Sequence, residues 1–155
     1  KLIVFLAALV FATGFLSGSY LGPVEEVPFA VLSSPERISP HDWISEERIQ
    51  VYHNRVIINV NNPEWAKFTN TNSMDPVLDD GANAIQIVPQ HTSDIHMGDI
   101  ISYESPWGII IHRVIAQGFD EKGWYVITKG DNNRFPDPHR VRFNKIERVV
   151  IAVVY

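Results

Sequence analysis

The chain contains no cysteine. A disulfide framework, a thiolate metal site, a cysteine nucleophile and the acylated cysteine of a lipoprotein are all excluded by that absence. Basic residues are also in short supply: 13 Lys and Arg stand against 18 Asp and Glu in 155 residues, for a net charge of −5. This balance argues against a generic basic nucleic-acid binder. An apolar fraction of 45% with 20% charged residues excludes a disordered tail. Internal repeats and low-complexity tracts are lacking, and helical patterns are few. The length suits one ordinary domain, large enough to bury a core. The sharpest local absence is one of charge. From Leu2 to Gly22 there is no Asp, Glu, Lys or Arg.

Those 21 residues would span about 30 Å as a helix, the thickness of a bilayer's hydrocarbon core. Tyr20 falls where an interfacial aromatic would sit, and Pro23 followed by Glu25 and Glu26 ends the apolar run. The expectation is a retained transmembrane anchor over residues 1–22. The competing reading is a cleaved signal peptide, with Ser17, Gly18 and Ser19 as the small residues near a cut. Lys1 before the span and two Glu after it favour a cytoplasmic start and a translocated domain.

Four prolines between Pro23 and Pro40 make a poor helix and a poor central strand. Residues 23–50 therefore read as a proline-rich acidic linker, closed by one short helix over His41–Gln50. Residues 51–155 read as a β-rich domain. Val51–Val60, Ala84–Val88, Asp99–Tyr103, Gly108–Ala116, Gly123–Thr128 and Val149–Val154 are rich in β-branched residues. Turn signals separate them at Asn61-Asn62-Pro63, Asp80-Gly81, Ser105–Gly108 and Asp120–Gly123. The fold class expected is mainly β: a compact, mostly antiparallel domain behind an N-terminal transmembrane helix. Charge is uneven along it. Pro23–Pro106 carries 4 basic and 13 acidic residues and Trp107–Tyr155 carries 8 and 5; the basic part reads first as a solvated surface, with a place near anionic lipid as the alternative.

Four short stretches hold the candidate chemistry. They are Thr71-Asn72-Ser73-Met74-Asp75-Pro76, Gly98-Asp99-Ile100-Ile101, His112-Arg113-Val114, and Thr128-Lys129-Gly130-Asp131-Asn132-Asn133 with Asp137 beyond it. Each alone has a plain structural explanation. A serine before a proline is usually a turn residue, a histidine in an apolar run is usually a satisfied core residue, and Lys-Gly-Asp suits a β-turn. A serine hydroxyl is a poor nucleophile without a positioned base. Imidazole, with an ordinary pKa of about 6.5, can take that proton and return it to a leaving amine. A carboxylate on the other ring nitrogen fixes the tautomer.

In this order, behind an apolar start, the stretches resemble the boxes of the membrane-bound type I signal peptidases. The likeness is to the branch of archaea and the endoplasmic reticulum, which uses histidine as its base. It covers Thr71 to about Val141. The resemblance implies a β-domain of the signal peptidase type acting as a serine endopeptidase on the signal peptides of secreted precursors, at the extracytoplasmic face of the membrane. It implies no cofactor and no metal. Membrane lipid, and in some systems accessory subunits, would be partners. Carried over box by box, Ser73 is the nucleophile, His112 the general base and Asp137 the acid that orients it. Asp131 is a second functional acid, and Thr71 offers a hydroxyl to the oxyanion hole. Lys129 is read as structural or as an ion-pair partner of the box's acids. His41, His53, His91, His96 and His139 are read as surface or local residues.

Two positions depart from the pattern. Asn72 stands where glycine is common, and Gly81-Ala82 where Gly-Asp is frequent; both bear on substrate alignment. Three other readings share parts of the pattern. A processing peptidase for a dedicated substrate would use the same chemistry. A non-cleaving homologue would bind signal peptides or partner subunits. A self-cleaving repressor-type peptidase would need a lysine base and a DNA-binding helix pair, which this chain does not suggest.

Overall fold

A computed structural model describes residues 37–155. The expected anchor, its signal-peptide alternative and most of the proline-rich stretch lie outside the described residues. Among the described residues no helix is long and apolar enough to cross a membrane.

The described chain is mainly β and antiparallel. Eight strands follow one another: β1 (Ile49–Tyr52), β2 (Arg55–Ile58), β3 (Glu64–Lys67), β4 (Asn83–Ile87), β5 (Ile100–Ser105), β6 (Gly108–Asp120), β7 (Gly123–Lys129) and β8 (Ile146–Val154). β1 and β2 form a separate hairpin, and the other six make one sheet in the order β3-β4-β8-β5-β6-β7. Among the described residues helical structure is confined to single 3-10 turns at Glu46–Arg48, Thr92–Asp94 and Phe143–Lys145.

Two-residue loops, Pro106-Trp107 and Glu121-Lys122, close the β5–β6 and β6–β7 hairpins and set their registers. Successive residues of β5 and β8 point to opposite faces, and both faces are covered. Ile101, Tyr103 and Val149 enter one core cluster with Ile95, Val114 and Val126. Ile100 and Val150 enter a second with Met74, Leu78 and Ala84. This two-sided burial explains why these segments read as continuous apolar runs.

Several expectations need correction. Val51–Val60 is not one strand; the chain turns at His53-Asn54, and Val51 pairs with Val56. The helix expected over His41–Gln50 is a single 3-10 turn, because Ile49 already pairs with Ile58. β3 had no β-like signature, since Glu64, Ala66 and Lys67 are weak strand formers. Residues 37–43 of the expected linker are docked on the domain. Arg37 Nη2 donates to the Asp131 carbonyl at 2.9 Å, and the His41 amide and Trp43 indole N–H donate to Asp99 Oδ1 at 2.8 and 3.1 Å. Asp99 is fully buried and also accepts the His96 amide. The Gly98-Asp99 box is thus where this arm attaches. Gly98 adopts φ +97°, and a Cβ there would lie 2.0 Å from the Ser39 carbonyl oxygen, so the arm's approach requires glycine.

Candidate active site

His112 sits in the middle of β6, opposite Ile101 of β5 and just before the point where β7 joins. Alternation along β6 turns His112 and Arg113 to opposite faces. His112, 7% exposed, meets Asp137: its Nδ1 lies 2.7 Å from Asp137 Oδ2. An ionised carboxylate only accepts, so Nδ1 carries the proton of this hydrogen bond, and in a neutral imidazole Nε2 then keeps its lone pair. Asp137 reaches the pair because the loop after β7 folds back, its amide donating to the Thr128 carbonyl at 2.8 Å. The same Oδ2 accepts the Thr128 hydroxyl at 2.6 Å and the Tyr103 hydroxyl at 2.8 Å. Burial alone would raise the pKa of Asp137. The hydrogen bonds from His112, Thr128 and Tyr103 outweigh it and hold the carboxyl below its ordinary value. Burial pushes the Tyr103 phenol well above its ordinary range, so it stays a neutral donor.

Ser73 and His112 line one cleft of about 420 Å³, walled by Phe68, Met74, Leu78 and Ile109–Ile111, with Lys67, Thr71 and Asn133 at its polar margin. The Ser73 hydroxyl is 3.2 Å from the Thr71 hydroxyl. Among the described residues that is its hydrogen bond; none joins it to His112. The preceding Asn72 has φ +57°, so the left-handed conformation that glycine would supply is adopted here by asparagine, which tolerates it. Ala82 of the second departure is 1% exposed, a place where an aspartate would be stripped of water.

The loop after β7 holds the serine from behind. Asn132 donates its backbone N–H to the Ser73 carbonyl and its side-chain amide to the Asn72 carbonyl, both at 2.9 Å. Gly130 makes this fit possible: a Cβ there would stand 2.5 Å from the Ser73 carbonyl oxygen and 2.6 Å from Asn133 Nδ2. Asp131 does not touch His112. It forms a two-pronged ion pair with Arg113, at 2.8 and 2.7 Å, and both side chains are buried. Arg113 also donates to the Gly98 carbonyl at 2.7 Å. The ion-pair partner of Asp131 is therefore Arg113, not Lys129. The pair ties the strand carrying His112 to the loop that clamps Ser73.

The structure thus brings Ser73, Thr71, His112 and Asp137 to one site and sets Asp131 behind it. Tyr103, Thr128 and Asn132 were missed as site residues by sequence reasoning. Thr128 and Asn132 lay inside a recognised stretch but were given no role, whereas Tyr103 looked like an ordinary strand residue. Among the described residues no group of three or more His, Asp or Glu side chains converges as metal ligands would. His41 and His96 stack on each other beside the arm, with ring centroids 3.9 Å apart, and His139 stacks on Trp107. No protein-family model matches the chain, and neither a curated protein nor a solved structure matches it.

Proposed function

We propose that the chain is a membrane-anchored serine endopeptidase that removes signal peptides from translocated precursors. The observation that carries this reading is the Asp137–His112 pair, oriented by its neighbours, with His112 lining the same cleft as Ser73. In the proposed cycle His112 Nε2 takes the Ser73 proton as the oxygen attacks the scissile carbonyl carbon. Asp137 stabilises the imidazolium that forms, and His112 then protonates the leaving amine. The Ser73 N–H and the Thr71 hydroxyl would hold the oxyanion. Water, deprotonated by His112, hydrolyses the acyl-enzyme.

A substrate strand has somewhere to bind. β5 covers one edge of β6 along Gly108–Arg113, whereas β7 pairs only from Arg113 onward. The second edge of Gly108–His112 has no strand partner among the described ones, and it borders the cleft. An extended peptide can add there through backbone hydrogen bonds. Trp107 and Ile109 are 74% and 58% exposed at that end, which suits work at a lipid surface. Accessory subunits would add to these partners; nucleic acid would not.

The test is precursor cleavage in membranes, with mass spectrometry of the cut. Ser73→Ala and His112→Ala should abolish cleavage while the protein remains folded. Asp137→Asn should lower kcat by on the order of 10⁴-fold, as loss of the orienting acid does in Ser-His-Asp sites. Cleavage by Ser73→Ala or His112→Ala at the wild-type rate would overturn the assignment.

A further inference from the structure

Three neighbouring strands build the seat of Asp137. Tyr103 on β5 lies opposite Ile110, and His112 lies opposite Ile101, so Tyr103 and His112 are diagonal neighbours on one face. On the other side Thr128 of β7 lies opposite Val114, two residues beyond His112. The side chains of Tyr103, His112 and Thr128 all end on the single oxygen Asp137 Oδ2, at 2.8, 2.7 and 2.6 Å. Thr128 is fully buried and Tyr103 is 5% exposed. We propose that Tyr103 and Thr128 are positioning residues of the His112–Asp137 pair, which aim the carboxylate at Nδ1 and divide its negative charge among three donors. The inference rests on the catalytic reading above.

The plain alternative is that Tyr103 is a core residue whose hydroxyl merely found a partner. The two differ in what happens to His112. Each hydroxyl draws on the charge of Asp137. Removing one leaves more of that charge to stabilise the imidazolium, so His112 stays protonated to higher pH. A packing role alone would leave the titration where it was.

The other charged and titratable groups around the pair are few. Lys67 stands at the cleft margin. Behind Asp137 lies a second, mostly apolar cavity of about 310 Å³. Lys145 there is paired with Glu104, Arg140 and Arg142 are paired with Asp120, and His139 stacks on Trp107. Tyr103→Phe removes one oxygen and leaves these contacts and the ring's packing in place.

The test compares the full-length wild type with Tyr103→Phe, Thr128→Val and Thr128→Ser. Tyr103→Phe and Thr128→Val should lower kcat by on the order of 10- to 100-fold, the scale of one hydrogen bond to a charged group, with KM little changed. The acid limb of the kcat/KM profile should move to higher pH. Thr128→Ser keeps a hydroxyl and should restore both values. The ring-nitrogen NMR titration of His112 should move in the same direction in Tyr103→Phe. That measurement needs no turnover: a titration shift without cleavage in the wild type sinks the peptidase reading and keeps the positioning one. An unmoved titration, or an unmoved acid limb with normal kcat, overturns the positioning role.

Discussion

Gly130→Ala offers the most discriminating perturbation of the site, because it removes no group assigned to the chemistry. Gly130 does not have a positive φ, so alanine's backbone preferences are not at issue and only space decides. The new methyl would meet the Ser73 carbonyl oxygen at 2.5 Å and Asn133 Nδ2 at 2.6 Å, against an ordinary contact of 3.4–4 Å. The Asn133 amide can swing aside. The Ser73 carbonyl cannot, because it is backbone and accepts the Asn132 amide. Relief therefore requires the loop and the serine to part by about 1 Å. Overpacking of this kind costs roughly 1–3 kcal/mol of stability. A displacement of that size at a reacting group lowers rate by on the order of 100-fold. Steady-state cleavage of a precursor, with a thermal unfolding curve for each protein, separates the two effects. The expected result is a kcat about 100-fold lower in a protein that still unfolds cooperatively, with KM little altered because β6 is untouched. Gly81→Ala is the control, since nothing lies within 4 Å of its Cβ position, and it should match wild type. Wild-type kcat in Gly130→Ala would refute the claim that this box holds the nucleophile in place.

Arg113→Leu should destabilise the domain by about 3–5 kcal/mol, because it strands the buried Asp131 carboxylate. Adding Asp131→Leu should recover part of that loss in denaturant unfolding, and a single-variant loss below about 1 kcal/mol would remove the pair from the domain's support. For Asp137 the sign follows from its depressed pKa: the native carboxyl binds its proton less readily than the unfolded one. Its contribution is present above the unfolded value, near 3.9, and is lost as pH falls through the lower folded value. Asp120, half-buried and held low by Arg142 and Arg140, and Glu64, exposed and held low by Arg148, also lose charge in acid. The check is therefore the difference between wild type and Asp137→Asn in unfolding midpoint between about pH 2 and 5; parallel curves would contradict it.

Local chemistry made much of this molecule legible. The β-branched runs at Ala84–Val88, Asp99–Tyr103 and Gly123–Thr128 became β4, β5 and β7, and Gly108–Ala116 and Val149–Val154 became parts of the longer β6 and β8. Alternation and turn residues act over a few positions, and a single chain displays them. β3 escaped because its strand character comes from pairing with β4, not from Glu64, Ala66 or Lys67 themselves. The arm at residues 37–43 escaped because its anchor, Asp99, is 56 positions from Trp43.

The site divides in the same way. Ser73, His112 and Asp137 were readable as residue types able to act together, in an order that resembles a known family's. Their partners were not readable, because hydrogen bonds across strands depend on register. A shift of one residue in β5 against β6 would turn Tyr103 to the opposite face from His112. Sequence alone determined which chemical groups were available and which runs were rich in strand formers. Tertiary structure decided that Asp131 serves Arg113, that Asn132 grips the serine loop, and that three strands converge on one carboxylate oxygen. Those outcomes depend on distances of 2.6–2.9 Å between residues up to 60 positions apart, and only the packed sheet sets them.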